Sequence, residues 1–155
     1  LLNMVQFVYV YYDKANEKAK ELTIEVLSLL KIQYKEQLLD LSDKSKFEES
    51  VSFVCKSILS DNNQDQYEEL KSVSIVLTDD YMNFTILSNR NKFIRCSQVY
   101  SSIEAKLTRD HNNSNILCIG QCNMGSEHLK DIVNLYVSTP FSNGPRHLAR
   151  IKKID

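Results

Sequence analysis

The segment 109–120, RDHNNSNILCIG, combines a histidine with several asparagines beside a short apolar run. An imidazole gives or accepts a proton near neutral pH, so His111 is a candidate for acid–base chemistry. The amide of Asn112 both donates and accepts hydrogen bonds, which suits it to hold the hydroxyl groups of a ligand. A second interpretation is structural, because histidine and asparagine also suit the last turn of a helix. The sequence leaves both interpretations open.

Two arginines near the C-terminal end form a second candidate site. Arg146 and Arg150 are four residues apart, and this spacing places both on one side of a helix. A guanidinium group presents a planar fork of donors that matches the oxygens of a phosphate. The same stretch also contains His147, Lys152 and Lys153. The alternative is that these charges form the solvated basic end of a helix.

Apolar periodicity predicts strands that alternate with helices. Residues 5–12 form an apolar and aromatic run of strand length, and 16–30 carry apolar residues at helical spacing. Further strands are predicted at 33–41, 73–77, 93–96 and 116–119, and further helices at 46–59, 101–110, 129–137 and 145–155. This alternation favours a parallel sheet covered on both faces, with right-handed crossovers. We therefore predict an α/β protein with a three-layer Rossmann-like fold and a five-stranded parallel sheet.

The composition argues against several classes of protein. A chain of 155 residues favours a single domain, 1–155, with a sizeable core. Its 19 basic and 20 acidic residues nearly cancel, so the total charge gives no indication of nucleic-acid or membrane binding. No apolar run approaches the roughly 20 residues of a membrane-spanning helix, and no signal peptide is recognisable. We expect a cytoplasmic protein.

Cysteine and glycine content bears on cofactors. The cysteines at 55, 96, 118 and 122 have no metal-binding spacing, and we expect reduced thiols rather than a bridge between Cys118 and Cys122. The chain has only three glycines, and none follows the first or the third predicted strand. Backbone amides approach a dinucleotide phosphate closely only where glycines leave room. The sequence argues against a bound dinucleotide, and we expect neither a cofactor nor a metal.

Three motifs in the C-terminal third of the chain carry a resemblance to a known family. They are RDHNNSNILCIG at 109–120, STPF at 138–141 and GPRHLARI at 144–151. With them, the segment 107–151 resembles the family of type B ribose-5-phosphate isomerase and galactose-6-phosphate isomerase. The first two thirds match mainly in the order and spacing of elements, with individual matches at Asp13, Asp43, Asn89, Ile94 and Arg95. The fold of that family agrees with the α/β fold that the periodicity predicts.

The resemblance implies an isomerisation between an aldose and a ketose. The expected pair is ribose 5-phosphate and ribulose 5-phosphate, or a related sugar phosphate, as in the pentose phosphate pathway. By similarity, His111 helps to open the sugar ring. The expected ligand-binding residues are Asp13, Asn89 and Asn112 for the sugar and Lys14, Arg146 and Arg150 for the phosphate.

The predicted topology separates these residues. In an open parallel sheet, ligands bind beyond the carboxyl ends of the strands, where Asp13 lies. His111 comes before its strand and therefore lies at the opposite edge. We predict that His111 serves the crevice of a neighbouring subunit and that the basic helix 145–155 packs on that neighbour. The expected assembly is a homodimer or larger homo-oligomer, with a paralogous subunit as the alternative, and without nucleic-acid or membrane partners.

The chain departs from the family pattern where the proton is transferred. The family has a cysteine base and a glycine-rich loop, whereas this chain has Thr78 followed by Asp79 and Asp80. A threonine hydroxyl is not a base at neutral pH without help. A carboxylate whose pKa is raised towards neutrality by burial can serve as a base, which makes Asp79 and Asp80 catalytic candidates. The alternative is that the two aspartates begin the next helix.

Other substitutions bear on whether catalysis survives. Tyr81, Met82 and Phe84 are bulky, and we expect them to occupy space that glycines leave for the sugar. Lys44 and Cys122 stand where the family has a tyrosine and an arginine. Three hypotheses follow: an active isomerase with an unusual base, a catalytically impaired relative that binds a sugar phosphate, or one subunit of a hetero-oligomeric isomerase.

Overall fold

A computed structural model describes residues 5–62, 67–120 and 124–155. The described elements alternate between strand and helix over most of the chain, as the periodicity predicts. In order they are β1 (Phe7–Tyr12), a 3-10 turn (Lys14–Asn16), α1 (Glu17–Leu29), β2 (Gln33–Leu38), α2 (Lys44–Asp61), β3 (Ser72–Leu77), α3 (Tyr81–Ser88), β4 (Cys96–Gln98), α4 (Ser102–Asn112), β5 (Ile116–Ile119), α5 (Ser126–Ser138) and α6 (Pro145–Ile154).

The five strands form one parallel sheet in the order β2-β1-β3-β5-β4. From β1 and β3, which lie side by side, the chain continues in opposite directions across the sheet. Tyr12 pairs with Leu77, so the residues that follow β1 and β3 emerge at the same level. Such a reversal leaves a crevice beyond the strand ends, which is where open α/β sheets bind ligands. The predicted three-layer α/β fold is confirmed.

Each face of the sheet carries its own hydrophobic layer. Because side chains alternate along a strand, Val10 and Ile75 point to one face while Tyr11 and Val76 point to the other. Helices α1, α4 and α5 cover the first face, and α2 and α3 cover the second. Buried helical residues in these layers include Val26, Ala105 and Ile132 on the first face and Val54, Ile58 and Phe84 on the second. The two layers hold the strand ends in fixed register.

Two predicted strands, the second and the fourth, have a boundary that is wrong by three residues. The fourth strand was placed at 93–96, but β4 begins only at Cys96. Phe93 has a φ of 69°, a left-handed backbone that cannot continue a strand. The second strand ends at Leu38 rather than at residue 41, after which the chain turns towards α2. The short helix α3 was anticipated only as the element that follows Asp79 and Asp80.

Helix α2 has sharp ends that the sequence places approximately. The Asp43 side chain accepts a hydrogen bond from the backbone N–H of Ser45 at 2.9 Å and caps the helix, which begins at Lys44, two residues before the predicted start. Within the residues that the structure describes, no helix is both long and apolar enough to cross a membrane.

Candidate functional site

A cleft of about 980 Å³ lies beyond the carboxyl ends of β1, β2 and β3. Its floor is formed by the residues that directly follow β1 and β3, and its far side by the segment that follows β2. The polar residues that line it include Asp13, Lys14, Lys44, Thr78, Asp79 and Asp80. The cleft is therefore open at the position where the topology predicts a ligand.

Asp13 is fixed in this cleft by hydrogen bonds to both of its carboxylate oxygens. The hydroxyl of Thr78 donates to Oδ2 at 2.7 Å, and the amide of Asn16 donates to Oδ1 at 2.7 Å. Thr78 also accepts a hydrogen bond from the backbone N–H of Asp80 at 3.1 Å. Both Thr78 and Asn16 are fully buried. In this geometry the Thr78 hydroxyl acts on Asp13 as a hydrogen-bond donor and holds the carboxylate in place.

Asp79 and Asp80 follow Thr78 at the rim of the cleft. Asp80 occupies the position before α3, but its side chain caps no backbone N–H of that helix. Its carboxylate instead accepts from the Asn83 amide at 2.9 Å. Asp79 is exposed and accepts a hydrogen bond from Asn16 at 3.4 Å. Asp80 thus lies at the start of the next helix, as the structural alternative predicts, but its side chain does not form the capping hydrogen bond.

The bulky residues after Asp80 leave the space beside Asp13 free, contrary to expectation. Phe84 is fully buried and packs edge-on against Phe47, between α3 and α2. Met82 is 60% exposed on the outer surface. The ring of Tyr81 lies over Gly120, where an added Cβ would meet its Cδ1 at 2.3 Å. None of the three lines the cleft beside Asp13.

A basic cluster lies at the opposite edge of the sheet, before β5. His111 is in the last turn of α4, and its ring contacts that of His147 in α6 with a centroid separation of 4.2 Å. His147 Nδ1 is also 2.9 Å from the hydroxyl of Ser142, and His111 Nε2 is 3.4 Å from a carboxylate oxygen of Asp110. The residue that ends α4 in left-handed conformation is Asn113, so His111 is not itself the cap.

Arg146 and Arg150 belong to this cluster. Both are exposed, and both act electrostatically on His147. In the segments 5–62, 67–120 and 124–155, neither guanidinium group forms an ion pair. The structure thus brings His111 together with the two arginines that the sequence suggested for phosphate. A cluster of unpaired cations with an imidazole is well suited to bind a phosphate dianion.

We expect His147 to titrate below its ordinary range. Partial loss of solvent, and then the neighbouring His111 and Arg146, lower the pKa of His147 from its usual 6.5. The unfolded chain therefore takes up this proton at a higher pH than the folded chain. Consequently, the contribution of His147 to the free energy of unfolding decreases as the pH falls through about 6.5.

An NMR titration of the histidine ring protons measures this shift. The midpoint for His147 should lie below that of a free histidine and should rise in the His111→Ala variant, where one neighbouring charge is removed. Addition of inorganic phosphate should raise it as well, because an anion favours the protonated ring. A midpoint that neither change affects would contradict the role of His147 in the cluster.

The remaining predicted residues lie in different surroundings. Lys14 lines the cleft and is exposed. Asn112 is exposed in the last turn of α4, where its side-chain oxygen Oδ1 accepts a hydrogen bond from the Thr108 hydroxyl at 3.2 Å. The amide of Asn89 is engaged at both ends with the backbone of Cys96, at 2.7 and 2.9 Å, and so joins α3 to β4. Its observed contacts are structural. Cys122 lies outside the described residues.

The sequence did not single out Asn16, which contacts Asp13 in the cleft, or His147, which contacts His111 in the basic cluster. His147 is part of the GPRHLARI motif, so its position beside an arginine was a usable signal. Asn16 follows Asp13 by three residues in a strand-to-helix turn, a spacing at which an amide can reach back to a carboxylate. The contacts of Asn16 with Asp79 and of His147 with His111, in contrast, join segments that are distant in the sequence.

Comparisons with known proteins agree with this geometry. The model of the family described as Ribose/Galactose Isomerase matches residues 8–154. Ribose-5-phosphate isomerase B of Mycolicibacterium paratuberculosis is 35% identical over 80 residues, which are 52% of this chain and 50% of that protein. The chain thus spans about half the length of the curated relatives it matches.

Solved structures match over a longer range. Ribose 5-phosphate isomerase of Thermotoga maritima has a TM-score of 0.78 at 30% identity, over 96% of this chain and 97% of that chain. Ribose-5-phosphate isomerase B of Mycoplasma genitalium, solved with bound ribulose-5-phosphate, has a TM-score of 0.78 at 22% identity, over 97% and 95% of the two chains. The second likeness shows the fold alone. Because the family model matches almost the whole length of the chain, the chain belongs to the ribose/galactose isomerase family.

Proposed function

We propose that this protein interconverts an aldose phosphate and a ketose phosphate, with ribose 5-phosphate and ribulose 5-phosphate as the first pair to test. One observation carries the proposal: an open cleft with a doubly hydrogen-bonded Asp13 lies at one sheet edge, while an imidazole and two unpaired guanidinium groups lie together at the other. These are the groups that ring opening, proton transfer and phosphate binding need.

The cleft with Asp13 and the cluster with His111 can act on one substrate molecule only if they come from two subunits. A strand rises about 3.3 Å per residue, so the six residues of β3 separate the edges of one chain by about 20 Å. This exceeds the length of a pentose phosphate. In the proposed dimer, the cluster of His111, Arg146 and Arg150 faces the cleft of the neighbouring subunit. Helix α6 packs on α4 of its own chain, where the rings of His111 and His147 meet, and its Ile151 is fully buried. In the proposed dimer the exposed basic face of α6 is directed to the neighbour.

The chemistry follows from the positions of these groups. His111 donates a proton to the ring oxygen as the bond to C1 breaks, the C1 hydroxyl gives its proton to solvent as the open aldehyde forms, and His111 takes a proton back from solvent. A carboxylate at Asp79 or Asp80 removes the proton from C2, and the electron pair moves towards the C1 carbonyl to form an enediolate. Return of the proton to C1, with transfer of the O2 proton to O1, gives the ketose. Asp13 and Asn112 hold hydroxyl groups, while Arg146, Arg150 and Lys14 hold the phosphate.

The relatives support the choice of substrate. The Thermotoga maritima and Mycolicibacterium paratuberculosis proteins are both named ribose-5-phosphate isomerases, and ribulose-5-phosphate is bound in the Mycoplasma genitalium structure. A pentose phosphate fits a cleft of about 980 Å³ with room to spare, so the cavity itself does not distinguish a pentose from a hexose.

A second candidate function has its own observation. Thr78 stands in the place of the family's cysteine base, is fully buried and donates its hydroxyl to Asp13. This arrangement suits a protein that binds a sugar phosphate without turnover, or one that completes the site of a paralogous subunit by supplying His111 and the two arginines.

The test is turnover of ribose 5-phosphate by the pure chain in deuterated water. We expect ribulose 5-phosphate to form and deuterium to appear at C2. Arg146→Ala should raise KM by about 10- to 100-fold, because it removes charge-assisted hydrogen bonds to the phosphate. The matched control is Lys153→Ala, an exposed cation on the same helix, which should change KM by less than about twofold.

Absence of both turnover and exchange would contradict the isomerase. Binding that persists without turnover, and that weakens in Arg146→Ala, would support the binding protein. Activity that appears only on mixing with a relative that has a glycine-rich loop would support the hetero-oligomer.

A further inference from the structure

We propose that Asn16 is a positioning residue that shares its amide between Asp13 and Asp79, and that the Asp79 carboxylate held in this way accepts the C2 proton. The inference rests on the isomerase function proposed above and names the base within the same site. Asp79 belongs to the segment that this chain has where the family has a cysteine base and a glycine-rich loop.

The geometry of Asn16 carries the proposal. Its side chain is fully buried, and its Nδ2 lies 2.7 Å from Asp13 Oδ1 and 3.4 Å from Asp79 Oδ1. The two aspartates lie on different loops, 66 positions apart along the chain. The NH2 group must face them, because an amide oxygen in its place would be repelled by both carboxylates. One amide thus joins the loop after β1 to the loop after β3.

The cost of this arrangement indicates a function. Among the described residues, Asn16 Oδ1 is a buried oxygen without a hydrogen-bond partner. Burial of an unsatisfied amide oxygen is unfavourable by about 1–3 kcal/mol. An apolar side chain would avoid that cost in a buried turn. The presence of asparagine at position 16 is explained by the two carboxylates to which its NH2 group donates hydrogen bonds.

Asp79 is better placed than Asp80 to accept a proton. Asp80 accepts the Asn83 amide at 2.9 Å and lies at the start of α3, where the helix dipole favours its negative charge. Within the described part of the chain, the Asp79 carboxylate accepts only the long hydrogen bond from Asn16 at 3.4 Å, so lone pairs remain free towards the cleft that it lines. Asp13, which accepts two hydrogen bonds of 2.7 Å, is better suited to hold a substrate hydroxyl.

The proton-transfer step balances within the site. The Asp79 carboxylate takes the proton from C2 of the ring-opened aldose and becomes a carboxylic acid, while the C–H electron pair forms the enediolate. The same acid then returns the proton to C1 while the O2 proton moves to O1, which regenerates the carboxylate and gives the ketose. No oxidant, reductant or further reactant is required.

Single substitutions test the base. Asp79→Asn keeps the shape and should lower kcat by about 10²- to 10⁴-fold, the usual effect of losing a general base, with KM changed by less than about threefold. Deuterium exchange at C2 should fall in parallel. The matched control is Asp131→Asn, an exposed carboxylate on α5 that does not line the cleft, which should leave kcat within about twofold.

A double-mutant cycle tests the positioning role. Asn16→Ala should lower kcat by about 10- to 100-fold, because small displacements of a catalytic group are costly. In the Asp79→Asn background the same change should lower kcat much less, because the part of the effect that passes through Asp79 is already lost and only the part that passes through Asp13 remains. If Asn16→Ala does not fold, Asn16→Ser serves in its place, because its shorter side chain cannot reach Asp79.

The outcomes separate the two proposals. Inactive wild-type protein contradicts the isomerase function, and the inference with it. Active wild-type protein with an equally active Asp79→Asn variant contradicts the inference alone. Independent, multiplicative effects of the Asn16 and Asp79 substitutions would overturn the positioning role while leaving the isomerase in place.

Discussion

Mixing two inactive variants, His111→Ala and Asp13→Ala, should restore about one quarter of the wild-type turnover. Each variant alone should lose about 10²- to 10⁴-fold in kcat, because one loses the ring-opening imidazole and the other the hydroxyl-binding carboxylate. If each site joins Asp13 of one subunit to His111 of its neighbour, a mixed dimer has one intact site and one doubly defective site. Random exchange makes half of the dimers mixed, and half of their sites are intact.

The measurement is turnover of ribose 5-phosphate after the two variants have been unfolded together and refolded at equal concentrations. Two controls define the baseline: each variant refolded alone, and the two refolded separately and mixed just before the assay. Recovery only after joint refolding indicates a shared site. No recovery, with both single variants folded and inactive, would show that His111 and Asp13 do not meet across a subunit boundary.

The largest expected effect on stability comes from Arg95. Its Nη1 forms an ion pair with Asp155 Oδ2 at 2.9 Å, and the two side chains are only 4% and 2% exposed. Burial acts against both charges, because it lowers the pKa of Arg95 and raises the pKa of Asp155. Arg95→Met leaves a buried carboxylate without this partner, and we expect a loss of about 3–5 kcal/mol in the free energy of unfolding.

Urea unfolding followed by circular dichroism measures this loss. The control is Lys130→Met, which breaks a surface pair with Glu25 at 3.0 Å and should cost less than about 1 kcal/mol. The double variant Arg95→Met and Asp155→Leu should recover part of the loss, because no unpaired charge remains. An Arg95→Met variant as stable as Lys130→Met would show that solvent reaches the pair.

Much of the fold follows from local patterns. The apolar runs of β1 and β3 and the amphipathic spacing of α5 are set by burial on a sheet and on a helix face, and burial leaves its period in the sequence. The start of β4 was misplaced because Ile94 and Cys96 look like strand residues, whereas the left-handed backbone of Phe93 is imposed by tertiary contacts. Helix α3 was not predicted from periodicity, because it has only eight residues and no clear apolar stripe.

The site was only partly predictable, for a similar reason. The placement of Asp13 and His111 at opposite sheet edges follows from whether each residue comes after or before its strand. Asn16 was missed because its role depends on Asp79, which is close only in the folded chain. Asn89 matched the family in sequence, yet its amide is occupied by the backbone of Cys96, a contact that no spacing rule reveals.

The contact between Tyr81 and Gly120 constrains how this lineage can diverge. An added Cβ at position 120 would clash with the tyrosine ring in its present position, so a larger residue at 120 requires that ring to move. A glycine at 81 would remove that restriction. We therefore expect the two positions to covary among relatives, and a designer who wishes to rebuild a glycine-rich loop in this scaffold should change them together.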